Sequence, residues 1–421
     1  MIPHRPLHVA IVDEELPYPA TSGKRIRTIN LLLRLADRHK LTFISHRNAA
    51  PGEAKQAREF LEDHGIGVVM ASREPPGKSV LKGGMSFYAQ LAGNLFSPLP
   101  YVVASNRSRE LEATISEFAA AQAVDLWQCE WTPYIELMNG VGGQPRVVVA
   151  HNVESQIWQR YYENESNPAK RWYIKHQWRK LKAFEKQAFA RAQRIIAVSE
   201  CDAAQMRDHF QAAHVDVVDN GVDTEYFHPT GEKREPSQIL FLGSLDWRPN
   251  LDAARLLIER IFPLVQDSLP DARLVIVGRN PPLWLRQAAD RAENVDLQSD
   301  VPDVRPFLNR STVMTVPLRI GGGSRLKILE SLACGLPVVS TAVGAEGLAL
   351  EKDLDYLEAN SVEDMAGRLV ECIRAPREAL ESASRGRRVV LEQYGWDGLA
   401  EKLDQVWLRV AATASTPMVT A

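Results

Sequence analysis

Val316-Pro317-Leu318-Arg319-Ile320-Gly321-Gly322-Gly323-Ser324-Arg325-Leu326-Lys327-Ile328-Leu329-Glu330 decides how this chain reads. A short apolar strand runs into three glycines and then into a helical pattern, which Gly335 and Pro337 stop. Free backbone N–H groups and the positive end of the helix dipole meet at Gly323–Arg325, where Ser324 is placed to cap the helix. The glycines let a ligand come close to the backbone. The segment is therefore a candidate anion site, with phosphate as the usual anion. Arg319, Arg325 and Lys327 add positive charge. Glu330, three residues after Lys327, is placed to accept hydrogen bonds from a diol such as ribose. A tight turn with a solvated basic face and a surface Glu–Lys pair worth ~0.2–0.5 kcal/mol is the plainer reading. Three glycines together with three basic residues favour phosphate.

The same strand–turn–helix rhythm repeats outward in both directions. On the amino-terminal side, His8–Val12, Lys40–Ser45, Gly67–Met70, Asp125–Cys129, Arg146–Ala150 and Arg194–Val198 read as buried strands. Lys24–Arg38 has helical spacing, and Ser199 is a good N-cap for a helix from Glu200. The polar stretch Pro229–Pro236 breaks the rhythm as a linker. After it come strand Gln238–Gly243, helix Leu251–Gln266, strands Arg273–Val277 and Val313–Val316, helix Arg325–Cys334 and strand Pro337–Thr341. Alternating β and α elements imply parallel sheets covered on both faces. The expected fold is α/β with two doubly wound, Rossmann-like domains at 1–225 and 235–392. A C-terminal helix at 393–412 suits either domain, and a frayed tail at 413–421 follows. In such sheets ligands sit beyond the carboxyl ends of the strands.

Composition excludes several classes. Of the 421 residues 45% are hydrophobic and 24% charged, and the net charge is −3, which rules out a disordered chain. No apolar run reaches the ~18 residues of a membrane span. Leu7–Val12 is too short for a signal peptide and runs straight into Asp13, Glu14 and Glu15, so a cytoplasmic protein is expected. The four cysteines (Cys129, Cys201, Cys334, Cys372) form no C-x-x-C, which argues against a cysteine zinc site. Asp353-Leu354-Asp355 reads as surface, and no histidine pairing suits a metal, so none is expected. Residues 168–194 carry nine Lys/Arg and a single acid, Glu185, interleaved with Trp172, Tyr173, Trp178, Phe184 and Phe189. Such a helix either turns its aromatics to the core or lies on an anionic membrane. No nucleic-acid fold signature accompanies it.

Two nucleotide motifs fail. No G-x-G-x-x-G follows the first strand, and Gly77-Lys78-Ser79 has Ser72 where a Walker loop needs glycine. The overall pattern instead resembles family 4 of the retaining glycosyltransferases. PYPATSGKRIR (Pro17–Arg27) is similar to the family's first glycine loop, and VVVAHNVE (Val147–Glu154) to its histidine-bearing strand end. AVSECD (Ala197–Asp202) and NGVDTEYF (Asn220–Phe227) are similar to the stretch between the domains. FLGSLDWRPN (Phe241–Asn250), VIVGRNPP (Val275–Pro282), VPDVRP (Val301–Pro306) and KILESLACGLPVV (Lys327–Val339) are similar to the donor domain.

The resemblance implies a GT-B fold of two facing domains, transfer from a nucleoside-diphosphate sugar, and no metal or other cofactor. It implies donor contacts at Gly23, Gly243, Gly278, Arg279, Val301 and Glu330 and a catalytic role for His151, while the reading of the glycine loop adds donor contacts at Arg319, Gly321, Gly322, Gly323 and Ser324 and places Arg325 and Lys327 in catalytic roles, in lieu of the family's usual diphosphate clamp. Asn152 and Glu154 would meet a glycan or lipid-linked acceptor, although Glu154 also suits the first turn of a helix. Bacterial surface polysaccharide is the expected setting. Two departures stand out. The first of the family's usual two glutamates falls at Gly322, and its usual Arg and Lys fall at Ser244 and Pro249. They motivate a second reading, an inactive nucleotide-sugar-binding regulator or scaffold. A GT-B epimerase or phosphorylase is a third.

Overall fold

The structure, a computed structural model, describes residues 5–48, 50, 52–71, 91–320 and 325–414. The Gly77–Ser79 run, the glycine loop Gly321–Ser324 and the tail beyond Ala414 lie outside these. The described residues form two compact units. The first holds those up to Asp219 and those from Asp397 on, and the second holds Asn220 to Trp396.

The first unit contains β1 (His8–Val12), β2 (Lys40–Ser45), β3 (Ile66–Met70), β4 (Leu126–Cys129), β5 (Arg146–Ala150), β6 (Arg194–Ala197) and β7 (Val215–Val217). They pair in the order β3-β2-β1-β4-β5-β6-β7, all parallel. All five residues of β1 are buried, as expected of a strand covered on both faces. Val12 of β1 is in register with Ile44 on one side and Cys129 on the other. Asp13 and Glu130 therefore leave the sheet side by side, where the strand order reverses. Helix Gly23–Leu35 begins at Ser22, whose side chain accepts the Arg25 N–H, and helix Glu200–Phe210 begins at Ser199 in the same way.

The second unit repeats the construction with β8 (Gln238–Leu242), β9 (Arg273–Gly278), β10 (Val295–Ser299), β11 (Val313–Val316), β12 (Val338–Ser340) and β13 (Leu357–Glu358). Their order is β10-β9-β8-β11-β12-β13, again all parallel. Order reverses here between β8 and β11. The single helix expected over 251–266 is instead helix Arg248–Leu256, a π turn at Leu257–Ile261 and helix Phe262–Ser268, with Pro263 in its first turn. The helix after the glycine loop is Leu326–Ala333, and its N-cap is Arg325 rather than Ser324.

The C-terminal helix spans Trp396–Ala414. From Asp397 on it belongs to the first unit. Leu399, Leu403, Val406, Trp407 and Val410 recur at helical spacing and are all buried. Asp404 accepts from His39 Nε2 at 2.7 Å and from Arg38 at 2.9 Å, and the Trp407 indole donates to Gln128 Oε1 at 2.7 Å.

Two glycines of the second unit should respond oppositely to the same added methyl. A Cβ on Gly278 would stand 2.0 Å from the Gly243 carbonyl oxygen, so backbone has to move. A Cβ on Gly367, exposed within helix Val362–Arg374, meets nothing within 4 Å. Gly278→Ala is expected to cost ~1–3 kcal/mol or more by overpacking. Gly367→Ala should add roughly 0.5–1 kcal/mol by helix propensity. Urea unfolding of both variants checks the signs, and a neutral Gly278→Ala would contradict the close approach of the two strand ends.

Candidate active site

In the first unit, three adjacent strands each end in a buried polar residue. Asp13 follows β1 at 2% exposure, Glu130 follows β4 at 3%, and His151 follows β5 at 9%. Helix Gly23–Leu35 turns Lys24, Arg27 and Thr28 toward them, the i, i+3, i+4 set that shares one face. Lys24 Nζ donates to Asp13 Oδ1 at 2.5 Å. Thr28 Oγ1 donates to Glu130 Oε2 at 3.0 Å, and Gln128 Nε2 donates to Glu130 Oε1 at 2.5 Å. Arg27 donates to the carbonyls of Val218 and Asp219 at 2.9 and 3.2 Å. Gly23 begins the helix.

These contacts set the charge states. Burial raises Asp13 to about 7 against the pull of Lys24. Burial works against a charged Glu130, yet the adjacent His151, the Arg27 charge and the Gln128 amide bring it down to about 2. His151 Nε2 stands 3.4 Å from Glu130 Oε2. Burial pulls the imidazole below its ordinary value, Glu130 opposes this, and Arg27 and Lys24 add to it. The ring is therefore neutral at pH 7 and able to accept a hydrogen bond on one nitrogen while donating from the other.

Beyond His151, the Asn152 Oδ1 is buried without a hydrogen-bond partner among the described residues. Glu154 starts helix Glu154–Glu163. Burial raises its carboxyl, and the Trp131 indole, 3.0 Å away, opposes this. The backbone N–H groups of Glu154 and Ser155 donate to Glu185 at 2.6 and 3.2 Å. Glu185, raised to about 8 by burial, is the lone acid of the long basic helix Pro168–Arg191, and its task is to hold the start of another helix. Phe184 and Phe189 of that helix face the core, while Trp172 is 60% exposed. Arg171 and Lys175 lie over the Tyr162 ring at 4.6 and 5.4 Å.

In the second unit the site gathers at the ends of β8, β9 and β11. The Asn250 side chain fills the space where a Gly243 Cβ would be, 2.7–2.9 Å from that position. Asn250 Nδ2 donates to the Ser244 carbonyl and Asn250 Oδ1 accepts from Lys327 Nζ, both at 2.9 Å. The Lys327 ammonium also lies 5.0 Å from the centre of the Phe241 ring. Burial lowers Lys327 to about 7, with the Arg325 charge adding to the effect. Burial raises Glu330 to about 7, with Lys327 opposing. Both are half-buried rather than the surface pair the plainer reading expects.

The other cations are already matched. Arg319 is held in a two-pronged contact by Asp252, with Nε–Oδ2 at 2.9 Å. Arg325 is 5% exposed and meets Glu346 Oε2 at 3.5 Å. Arg279 reaches the Ser244 hydroxyl at 3.4 Å, and Val301 packs on the core. Asp353 is exposed and pairs with Arg368, but Asp355 is buried and accepts the Glu351 N–H, so the D-x-D stretch is a turn. Asp13, Glu130, Glu185 and Asn250 escape the sequence reading. The signal for the first two was present, since each follows directly on a buried strand, as His151 does.

Comparison with known proteins places these features in a family. Residues 21–226 match the family model "Glycosyltransferase Family 4", and residues 236–375 match "Glycosyl transferases group 1". The D-inositol 3-phosphate glycosyltransferase of Mycobacterium avium is 27% identical over 52% of this chain and 55% of its own length. A Klebsiella pneumoniae protein described as an uncharacterized 44.6 kDa protein in the cps region is 22% identical over 84% and 87%. The chain spans about half the length of the curated relatives it matches first. Among solved structures, sucrose-phosphate synthase from Thermosynechococcus elongatus superposes with a TM-score of 0.71 at 15% identity, over 97% of this chain and all of that one. Anabaena Alr3699/HepE in complex with UDP and glucose gives 0.63 at 14%, over 95% and 99%. With two wholly parallel Rossmann-like sheets and both halves matched, the chain belongs to glycosyltransferase family 4 and has the GT-B fold.

Proposed function

We propose that the chain is a retaining glycosyltransferase that moves a sugar from a nucleoside-diphosphate donor to a hydroxyl of a glycan or lipid-linked acceptor. The observation that carries this reading is Lys327. Its ammonium stands beside the start of a helix at the reversal point of the second sheet and is met by the amide oxygen of Asn250. A cation whose side-chain contact is neutral, at the positive end of a helix dipole, suits a diphosphate. In this reading the Glu330 carboxylate accepts from the ribose hydroxyls. HepE, solved with UDP and glucose, supports a nucleotide-sugar donor, and WaaG, a glycosyltransferase involved in lipopolysaccharide biosynthesis with a similar fold, supports a role in bacterial surface polysaccharide. The outward Trp172, beside Arg171 and Lys175, supports a lipid-linked acceptor at an anionic surface.

The chemistry follows from charge. As the bond from the anomeric carbon to the phosphate oxygen breaks, negative charge grows on the leaving diphosphate, and Lys327 stabilises it. The acceptor oxygen bonds to the same face of that carbon, and its proton passes to the departing phosphate oxygen. A double-displacement route needs a free carboxylate nucleophile. Glu130 is a poor one, because Gln128 and Thr28 occupy its oxygens. Neutral His151 supplies a hydrogen bond to the reacting sugar. No metal enters this account. The matched state of Arg319 and Arg325 favours a second reading, a donor-binding regulator, which would bind nucleotide sugar without turnover.

Three outcomes test the proposal. Lys327→Met should cut kcat by ~10²–10³-fold with a smaller change in donor Kd, the pattern of a transition-state contact. An effect on KM alone would point to uniform binding.

His151→Ala should bind nucleotide as the parent does and transfer sugar ~10²-fold more slowly. Single-turnover transfer and calorimetric affinity on one sample decide it, and undiminished transfer would leave His151 a structural residue.

The third concerns pH. A bound diphosphate favours charged Lys327, which loses its proton above about 7. A ribose contact favours charged Glu330, which gains a proton below about 7. Donor affinity should therefore be bell-shaped about neutrality. Glu330→Gln should remove the acid limb and Lys327→Arg the alkaline one, as measured by calorimetry with a nucleotide sugar. A flat profile from pH 5.5 to 8.5 would mean that neither group meets the donor.

A further inference from the structure

We propose that Trp407 of the C-terminal helix is a positioning residue for His151, acting through Gln128 and Glu130. The inference rests on the reading of His151 as a catalytic group. All four residues belong to the first unit, and Trp407, Gln128 and Glu130 are 0%, 1% and 3% exposed, so water is not the partner of their polar atoms.

The argument begins with what an indole can do. Its N–H only donates, so the atom it meets 2.7 Å away must be the oxygen of the Gln128 amide. That choice fixes the other end of the amide. Gln128 Nε2 then faces Glu130 Oε1 at 2.5 Å and donates to it. A rotated amide would set N–H against N–H at Trp407 and oxygen against carboxylate at Glu130, two buried repulsions at once. Thr28 donates to the second Glu130 oxygen at 3.0 Å. With a donor on each oxygen, Glu130 is held as a carboxylate, which accepts only.

His151 Nε2 lies 3.4 Å from Glu130 Oε2, outside hydrogen-bond geometry, and the negative charge beside that nitrogen favours a proton on it over a lone pair. The neutral ring therefore carries its proton on Nε2 and keeps the lone pair on Nδ1 for the reacting groups. Donor-only character at Trp407 is passed along as acceptor, donor, acceptor and donor until it selects a tautomer. The other charges facing the ring are Arg27 and Lys24 from helix Gly23–Leu35, with Asp13 at the end of β1 paired to Lys24. None of them touches Gln128 in a way that would set its amide.

Imidazole ¹⁵N shifts of His151, assigned by the signal lost in His151→Gln, test this in the full chain. The parent should show the Nε2–H tautomer. In Trp407→Phe the Gln128 amide is freed, Glu130 loses a donor and becomes more basic, and the His151 titration should move upward. Gln128→Met removes the same donor directly and should move it the same way. The double variant should move no further than the single ones, because both act on one path. Folding of each variant is checked by thermal melting on the same sample, and Gln128→Met decides the matter if Trp407→Phe does not fold. A folded variant whose His151 titration is unmoved, or singles whose shifts add in the double, would overturn the proposal. The readout needs no turnover, so a chain that shows the shifts without transferring sugar would refute the proposed function and leave this inference standing.

Discussion

Glu130 stands just past β4 with almost none of its surface in water, and a carboxylate there costs several kcal/mol unless donors meet it. Much of the first unit is arranged around that cost. Gln128 lies two residues earlier on the extended chain, so its side chain leaves on the same side. Thr28 comes from the first helix, on the face that also carries Lys24 and Arg27. The indole that orients Gln128 comes from the far end of the chain, 279 residues on. The C-terminal helix is thus joined to the first sheet by a polar contact with only one good orientation, in addition to its apolar stripe. Its outer contacts, Lys402 with Asp219 and Arg409 with Asp216, are half-exposed pairs of the kind worth little on their own. The buried links through Asp404 and Trp407 are the ones that specify where it sits.

The second unit solves a different problem with glycine. Gly243 is needed because the Asn250 side chain occupies the space a Cβ would take, and Gly278 because its backbone approaches the Gly243 carbonyl. Each lets the protein approach itself, and the gain is a fixed amide at the end of β8. That amide turns its nitrogen to the Ser244 carbonyl and its oxygen to Lys327. A side chain at position 243 would displace Asn250, and the Lys327 ammonium would lose its nearest partner.

The strands were legible wherever the sequence offers an unbroken β-branched or aliphatic run. β1, β2, β5 and β11 sit where such runs predict them. β7 (VDV), β10 (VDLQS) and β13 (LE) were not legible, being short, polar or only partly buried. The π turn at Leu257–Ile261 inserts into a pattern that reads as one helix. Site residues follow a similar divide. The rule that function gathers at strand ends picked out His151, and it applies equally to Asp13 and Glu130. Those two did not stand out because nothing local reveals that a carboxylate is buried. Arg319 and Arg325 counted as free charge beside the glycine loop, but their partners lie 67 and 21 residues away. Sequence counts charges well and pairs them poorly, since pairing is a property of the folded chain.

Charge pairing also separates the chemistry available to the two units. Each sheet reverses its strand order at one point, and each places ionisable groups just beyond it. In the first unit Glu130 has a donor on each oxygen, Asp13 has Lys24, and the least buried member of the arrangement is a neutral imidazole. In the second, burial lowers Lys327 to about 7 and the nearby Arg325 adds to the effect, while the group its ammonium touches is neutral. Only charge that the protein has not already neutralised can stabilise an incoming anion without first breaking a native pair. Under the proposed function, that criterion assigns anion binding to the second unit. The first is suited to directing hydrogen bonds toward groups without full charge, such as sugar hydroxyls. A depressed lysine gains most from such an anion, because the anion restores the charge that burial opposes. The environment that makes Lys327 costly to keep charged alone is therefore the one that makes it responsive to a diphosphate.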